Sequence, residues 1–162
     1  MTLGRVMKYI VVAVVIALVV FYFARNAVNK KAALENIAIG KDFLEKNKAN
    51  QDVQETASGL QYQVLQKGQG ESHPSASSTV KVHYHGLLLD GTVFDSSVDR
   101  GEPISFPLNQ VIKGWTEGVQ LMVVGDKFKF FIPSDQAYGN RSTGKISAGS
   151  LLIFEVELLE IQ

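Results

Sequence analysis

Residues 82–97, Val-His-Tyr-His-Gly-Leu-Leu-Leu-Asp-Gly-Thr-Val-Phe-Asp-Ser-Ser, constrain this chain more than any other stretch. Their first half alternates. Val80, Val82 and Tyr84 fall on one face of a strand and Lys81, His83 and His85 on the other, the two-residue period of a half-buried strand. Asp90-Gly91 then predicts a two-residue hairpin turn, whose positive φ angles glycine adopts without strain. A strand of this kind needs partners with matching faces, and the chain supplies them. Leu60, Tyr62 and Val64 alternate with Gln61, Gln63 and Leu65. Phe128, Phe130 and Ile132 alternate within residues 126–132, and Phe154, Val156 and Leu158 oppose Glu155 and Glu157. One polar face per strand predicts an antiparallel sheet with one side in water.

The apolar side needs a cover. The only helical periodicity in this region is that of Ile112, Trp115, Val119 and Met122. A strand-rich domain with one short helix is α+β. Residues 68–78, rich in Gly and Ser with Pro74, read as a loop, and residues 49–58 as a polar linker.

Composition removes several function classes. The chain has 162 residues, enough for one domain and an appendage. It has no cysteine, hence no disulfide framework, thiol nucleophile or cysteine zinc site. Its 16 basic and 16 acidic residues cancel, which gives no electrostatic ground for a nucleic-acid partner. The nucleophile elbow, the phosphate-binding glycine loop and the paired-histidine zinc helix are all missing from the sequence. His83 and His85 share a strand face, but two histidines without a nearby third ligand read as a solvated face, so no metal or other cofactor is expected.

The amino-terminal part differs in kind. Residues 9–24 carry no charge, Gly or Pro, and are flanked by Arg5 and Lys8 before and Arg25, Lys30 and Lys31 after. As a helix they reach about 24 Å, somewhat short of the ~30 Å hydrocarbon core, with Tyr9, Phe21, Tyr22 and Phe23 gathered at the ends like an interfacial belt. Residues 1–25 therefore read as an uncleaved signal-anchor with one transmembrane helix. A cleaved signal is the competitor, and bulky Tyr22 in Tyr22-Phe23-Ala24 suits a cleavage site poorly. The balanced flanking charges do not orient the segment. Residues 26–50, with Ala32, Ala33, Leu34, Ile37, Phe43 and Leu44 among polar residues, predict an amphipathic spacer helix that Gly40 weakens by about 1 kcal/mol. Residues 51–162 form the globular domain.

Four further blocks accompany residues 82–97: Ser58-Gly59-Leu60-Gln61-Tyr62, Gln110-Val111-Ile112-Lys113-Gly114-Trp115, Ala137-Tyr138-Gly139, and Leu152-Ile153-Phe154-Glu155-Val156-Glu157-Leu158-Leu159. In this order and spacing, residues 58–162 resemble the FKBP-type peptidyl-prolyl cis-trans isomerases. The resemblance implies a curved antiparallel sheet wrapped around one short helix, and rotamase activity on X-Pro bonds in protein folding. It implies proline-containing polypeptide clients and the macrolides rapamycin and tacrolimus as ligands. It places Trp115 beneath the proline ring, with Tyr84, Phe94, Val111, Ile112 and Phe154 as walls. The Ile112 N–H and the Tyr138 hydroxyl would donate to the substrate, and Asp95 would pair with Arg100 and the Tyr84 hydroxyl. Ile104 or Phe106 would supply a further wall, and Ile146 another from the loop after Tyr138. That loop is shorter than in most of the family and reads Ser147-Ala148 where Pro-Pro is common.

Asn36, Gly40, Phe43, Leu44 and Asn47 resemble the helix end that precedes the domain in the dimeric Mip-like bacterial branch. The helical region here is shorter, which leaves monomer and homodimer both open. The branch implies a bacterial inner-membrane protein with its domain on the periplasmic or the cytoplasmic side.

The chemistry asked of such a site is mild. An X-Pro amide must lose its planarity against a barrier of about 18–20 kcal/mol, and no bond is made or cut. A twisted amide has less charge separation than a planar one, so a dry aromatic pocket favours it. The alternatives are a module of the same fold that binds or chaperones proline segments with little turnover, and an inert membrane scaffold.

Overall fold

The computed structural model describes the backbone of residues 3–162 and the side chains from Val14 onward. Helix α1 (Leu3–Asn47) is followed by strands β1 (Val53–Glu55), β2 (Gln61–Gln66), β3 (Thr79–Leu87) and β4 (Val93–Ser96). Then come helix α2 (Ser97–Arg100), strand β5 (Ile104–Pro107), helix α3 (Lys113–Val119) and strands β6 (Lys127–Ile132) and β7 (Leu152–Ile161). All strand pairings are antiparallel, in the order β1-β2-β6-β7-β3-β4, with β5 also on β3. Seven strands with few helices are the α+β domain that the alternating faces predict.

β3 organises the sheet. It pairs with β7 along one edge, while its other edge is shared: residues 79–82 pair with β5 and residues 85–87 with β4. Val80, Val82 and Tyr84 of β3 are buried with Leu152, Phe154, Val156 and Leu158 of β7, as the alternation requires. α3 covers this face. Trp115 meets the rings of Tyr84, Phe106 and Phe154 edge-on at 5.3–5.6 Å between centroids, so one helix touches β3, β5 and β7. It reaches β6 as well, because a Cβ at Gly118 would lie 2.6 Å from the Phe130 ring and one at Gly114 would lie 2.5 Å from Ile132. Four strands at ~4.8 Å spacing can all touch one helix ~10 Å across only if the sheet bends around it. Register shifts in β2 and β3 are the irregularities that permit such bending.

Several expectations change. The Asp90-Gly91 turn lies within a five-residue connection, residues 88–92, where Gly91 has φ 85° and the Leu88 N–H donates to the Thr92 carbonyl. The segment read as linker contains β1, which pairs with β2. α2 adds a second short helix to the domain. The anchor and spacer helices are one continuous α1, without a break at residue 25. Among the described residues no helix is long and apolar enough to cross a membrane. The apolar run of residues 9–24, however, begins ahead of the described side chains, so the anchor lies in part outside them.

The carboxy-terminal half of α1 is docked on the domain. Ala33, Asn36, Ile37, Gly40, Phe43, Leu44 and Asn47 are buried or half-buried, a stripe at three- and four-residue spacing, whereas Ala32 and Leu34 are exposed. Phe43 packs on Phe131 at 5.7 Å between ring centroids. Gln61, opposite Phe131 in the β2–β6 register, is fully buried; its Nε2 donates to the Leu44 carbonyl at 2.9 Å and its Oε1 accepts from Asn47 at 3.0 Å. The outer face of the sheet is therefore covered at this corner and not in water. The helix-weakening Gly40 has a packing reason, since a Cβ there would stand 3.1 Å from Leu151 Cβ.

A fragment of residues 50–162 should accordingly unfold cooperatively but be less stable than one of residues 30–162. Losing the burial of Phe43 and two hydrogen bonds to Gln61 amounts to about 2–4 kcal/mol. Urea unfolding of both fragments measures the difference; equal midpoints would mean that the docked stripe contributes nothing to folding.

Candidate active site

A cavity of about 1060 Å³ opens over α3. All twelve residues singled out from the sequence line it. Trp115, at 4% exposure, forms its base through the ring contacts described above. Phe94 meets Phe154 edge-on at 5.2 Å, and both close on Gly86, where a Cβ would stand 2.7 Å from the Phe94 ring and 3.0 Å from that of Phe154. Val111 and Ile112 enter from the turn before α3. Ile112 is the cap residue, and its carbonyl accepts from the N–H groups of Trp115 and Thr116. Its own N–H precedes the helical ladder, where N–H groups have no intrahelical partner. Between Ile104 and Phe106 the geometry distinguishes roles: Phe106 contacts both Trp115 and Tyr84, while Ile104 is a rim residue at 37% exposure.

The polar part is a closed triangle. The Tyr84 hydroxyl donates to Asp95 Oδ2 at 2.5 Å, Arg100 Nη1 donates to Asp95 Oδ1, and Arg100 Nη2 donates to the Tyr84 hydroxyl at 3.0 Å. Asp95 and Arg100 are half exposed. Partial burial pushes the Asp95 carboxyl up, but the hydrogen bonds from Tyr84 and Arg100 outweigh it and hold the group below its ordinary value. Burial first, and Asp95 second, raise the Tyr84 hydroxyl above its ordinary value. Hydrogen bonds with Tyr84 and Asp95 raise the Arg100 guanidinium further. Between the ordinary values of about 3.9 and 10, the triangle thus keeps one charge state. Any activity that depends on it should be level across that window. It should decline only as pH drops through the lowered Asp95 value, because a carboxyl with a depressed native pKa loses its contribution on that side. A rate profile with an inflection between pH 6 and 8 would assign control to another group.

The Asp-Ser-Ser run, which would ordinarily mark a turn, positions this triangle. The edge of β3 is unpaired at His83 and Tyr84, between the stretches taken by β5 and β4. Ser97 fills that gap: its Oγ accepts from the Tyr84 N–H at 2.8 Å and donates to the Tyr84 carbonyl at 3.3 Å. Ser96 caps α2 by accepting from the Asp99 N–H at 3.1 Å. These two serines hold the helix that carries Arg100, and sequence reasoning missed them. His83 and His85 meet Ser97 Oγ and Ser96 Oγ at 3.0 and 2.8 Å, and no cluster of three metal-ligating side chains occurs among the described residues.

The loop after Tyr138 is a small hairpin. Thr143 and Ile146 exchange both backbone hydrogen bonds at 2.9 Å around Gly144-Lys145, with Gly144 at φ 52°, the turn position that favours glycine. Ile146 is buried as a wall, Tyr138 is half-buried at the rim, and Lys145 Nζ reaches the Val93 carbonyl at 3.2 Å. Lys113, Asp135 and Arg141 add charges to the rim that the sequence reading did not assign to the site.

Residues 70–159 match the family described as FKBP-type peptidyl-prolyl cis-trans isomerase, and residues 14–64 match the domain amino terminal to it. This chain belongs to the FKBP-type peptidyl-prolyl cis-trans isomerases. It is 59% identical to an FKBP-type isomerase FkpA of Aeromonas hydrophila over 82% of its own length and 49% of the relative's. It is 45% identical to the outer membrane protein MIP of Legionella longbeachae, over 85% of this chain and 59% of that protein. Among solved structures, FkpA from Escherichia coli superposes with a TM-score of 0.82 at 42% identity, covering 91% of this chain and 71% of that one. The chain spans about half the length of some of the curated FKBP-type relatives it matches.

Proposed function

We propose that residues 51–162 catalyse cis-trans isomerisation of X-Pro bonds in polypeptide clients without a covalent intermediate. The supporting observation is the ring-lined cavity, in which the edges of Tyr84, Phe106 and Phe154 converge on Trp115. A proline ring lies over the indole, Phe94, Val111, Ile112 and Ile146 exclude water, and the amide twists in surroundings that do not stabilise its planar, charge-separated form. The Ile112 N–H and the Tyr138 hydroxyl hold flanking carbonyls. Asp95, Tyr84 and Arg100 fix the polar rim. A barrier lowered by ~8 kcal/mol is about a millionfold acceleration.

The test is the cis-to-trans relaxation of a short peptide with an apolar residue before proline, which takes tens to hundreds of seconds uncatalysed. The chain should accelerate it, and rapamycin or tacrolimus should compete while changing the fluorescence of Trp115, the only tryptophan. Ligand-dependent fluorescence without acceleration would favour the binding module instead.

Residues 9–24 serve as a membrane anchor in this proposal. The residues Val14–Ile16 and Leu18–Phe23 expose apolar side chains on every side of α1, as a helix in lipid does. Release of the full chain by alkaline carbonate without detergent would count against it.

A further inference from the structure

We propose that Asn36 of α1 is a positioning residue for the pocket, acting through the loop of residues 139–149 on Ile146; the inference rests on the isomerase function proposed above. The loop has no proline and three glycines, so its own backbone does little to fix its shape. Its tip is a hairpin, and its base is closed by the Gly149 N–H donating to the Gly139 carbonyl at 2.8 Å. That base rests on α1. Asn36 Nδ2 donates to the Ala148 carbonyl at 2.8 Å, two residues from Ile146. Gly149, at φ 78°, lies so close to α1 that a Cβ would overlap the Ala33 carbonyl, and Ala33 is itself buried there. Gly40 leaves room for Leu151 one turn further along. Ala33, Asn36 and Gly40 thus seat one end of the loop on a rigid helix, and Ile146, at 6% exposure, hangs from that seat into the cavity.

The Asn36 amide is the only side-chain hydrogen bond between α1 and this loop among the described residues. Without it, the Ala148 carbonyl loses its donor and Ile146 gains freedom to shift. In the proposal Ile146 forms the wall met by the side chain preceding proline, so the step that suffers is the fit of that side chain. Displacement of wall contacts by a fraction of an ångström lowers rate without unfolding the domain.

The experiment uses the full chain and two substitutions, Asn36→Ala and Asn36→Asp, the second keeping the shape while replacing the donor with an acceptor. Rates are measured on peptides with Leu or Ala before proline, together with urea midpoints and amide exchange at Ile146 and Gly149. Both variants should lower kcat/KM on the Leu peptide by roughly threefold to tenfold. They should lower it less on the Ala peptide, so that the Leu/Ala preference narrows, and the two amides should exchange faster. In an Ile146→Ala background the Asn36 substitutions should not alter the preference further, the non-additivity expected of residues acting through one contact. An unchanged preference in both variants, or the same narrowing with Ile146 already gone, overturns the inference. A wild-type chain that fails to accelerate either peptide overturns the isomerase function instead; unchanged exchange at Ile146 and Gly149 would then overturn the positioning role too.

Discussion

Trp115→Ala should lower isomerase rate and stability together. The indole is 4% exposed and touches rings from three strands, so its removal opens a cavity beneath the pocket and exposes apolar surface that α3 and the sheet now share. Loss of a buried aromatic of this size costs about 3–5 kcal/mol. The urea midpoint should fall by roughly 2 M at slopes of about 1–3 kcal/mol per M. Trp115→Phe should recover most of that midpoint, because it keeps a ring in place and removes an indole N–H that has no hydrogen-bond partner among the described residues. A midpoint unchanged in Trp115→Ala would mean that α3 does not anchor the sheet.

Asp95→Ala should behave in the opposite way, losing rate while retaining its fold. The carboxylate is half exposed and its side-chain hydrogen-bond partners are Tyr84 and Arg100 at the rim, so its contribution to folding is small. Its removal takes the shared acceptor from the Tyr84 hydroxyl and Arg100 at once and leaves them only the bond to each other. Displacement of site groups by ~1 Å costs about a hundredfold in rate. The measurement is peptide isomerisation beside a urea titration on the same preparation. Near-normal turnover with a large drop in midpoint would make Asp95 a structural turn residue.

Much of the sheet was legible in the sequence because each inward strand position repeats at the period of a pleat. β3 and β7 show this plainly, with Val80, Val82 and Tyr84 opposite Ile161, Leu158 and Val156. The cluster around Asp95 was legible because its members are close in sequence. What could not be read was what lies on the other face. Phe131 interrupts the alternation of β6 and signals a covered outer face, but its cover, Phe43, is 88 residues away, and no local pattern links them. Gln61 looked solvent-facing for the same reason. Asn36, Gly40 and Asn47 resembled a known helix end, yet only the docked structure shows that their spacing is a contact stripe. The role of Ser97 depends on a gap between two strand partners of β3, which is a property of topology and not of any segment.

The continuity of α1 has a consequence for reach. From Phe23, at the end of the exposed apolar stretch, to Ala33, the first docked residue, the helix rises about 15 Å. A helical strut of that length does not swing as a coil of ten residues would. Whatever surface takes up the apolar end, the corner of the domain docked on α1 stays about one strut length from it and explores a narrow shell, not a sphere. Under the isomerase function proposed above, such a tether restricts the client prolines the pocket reaches to those near the same surface.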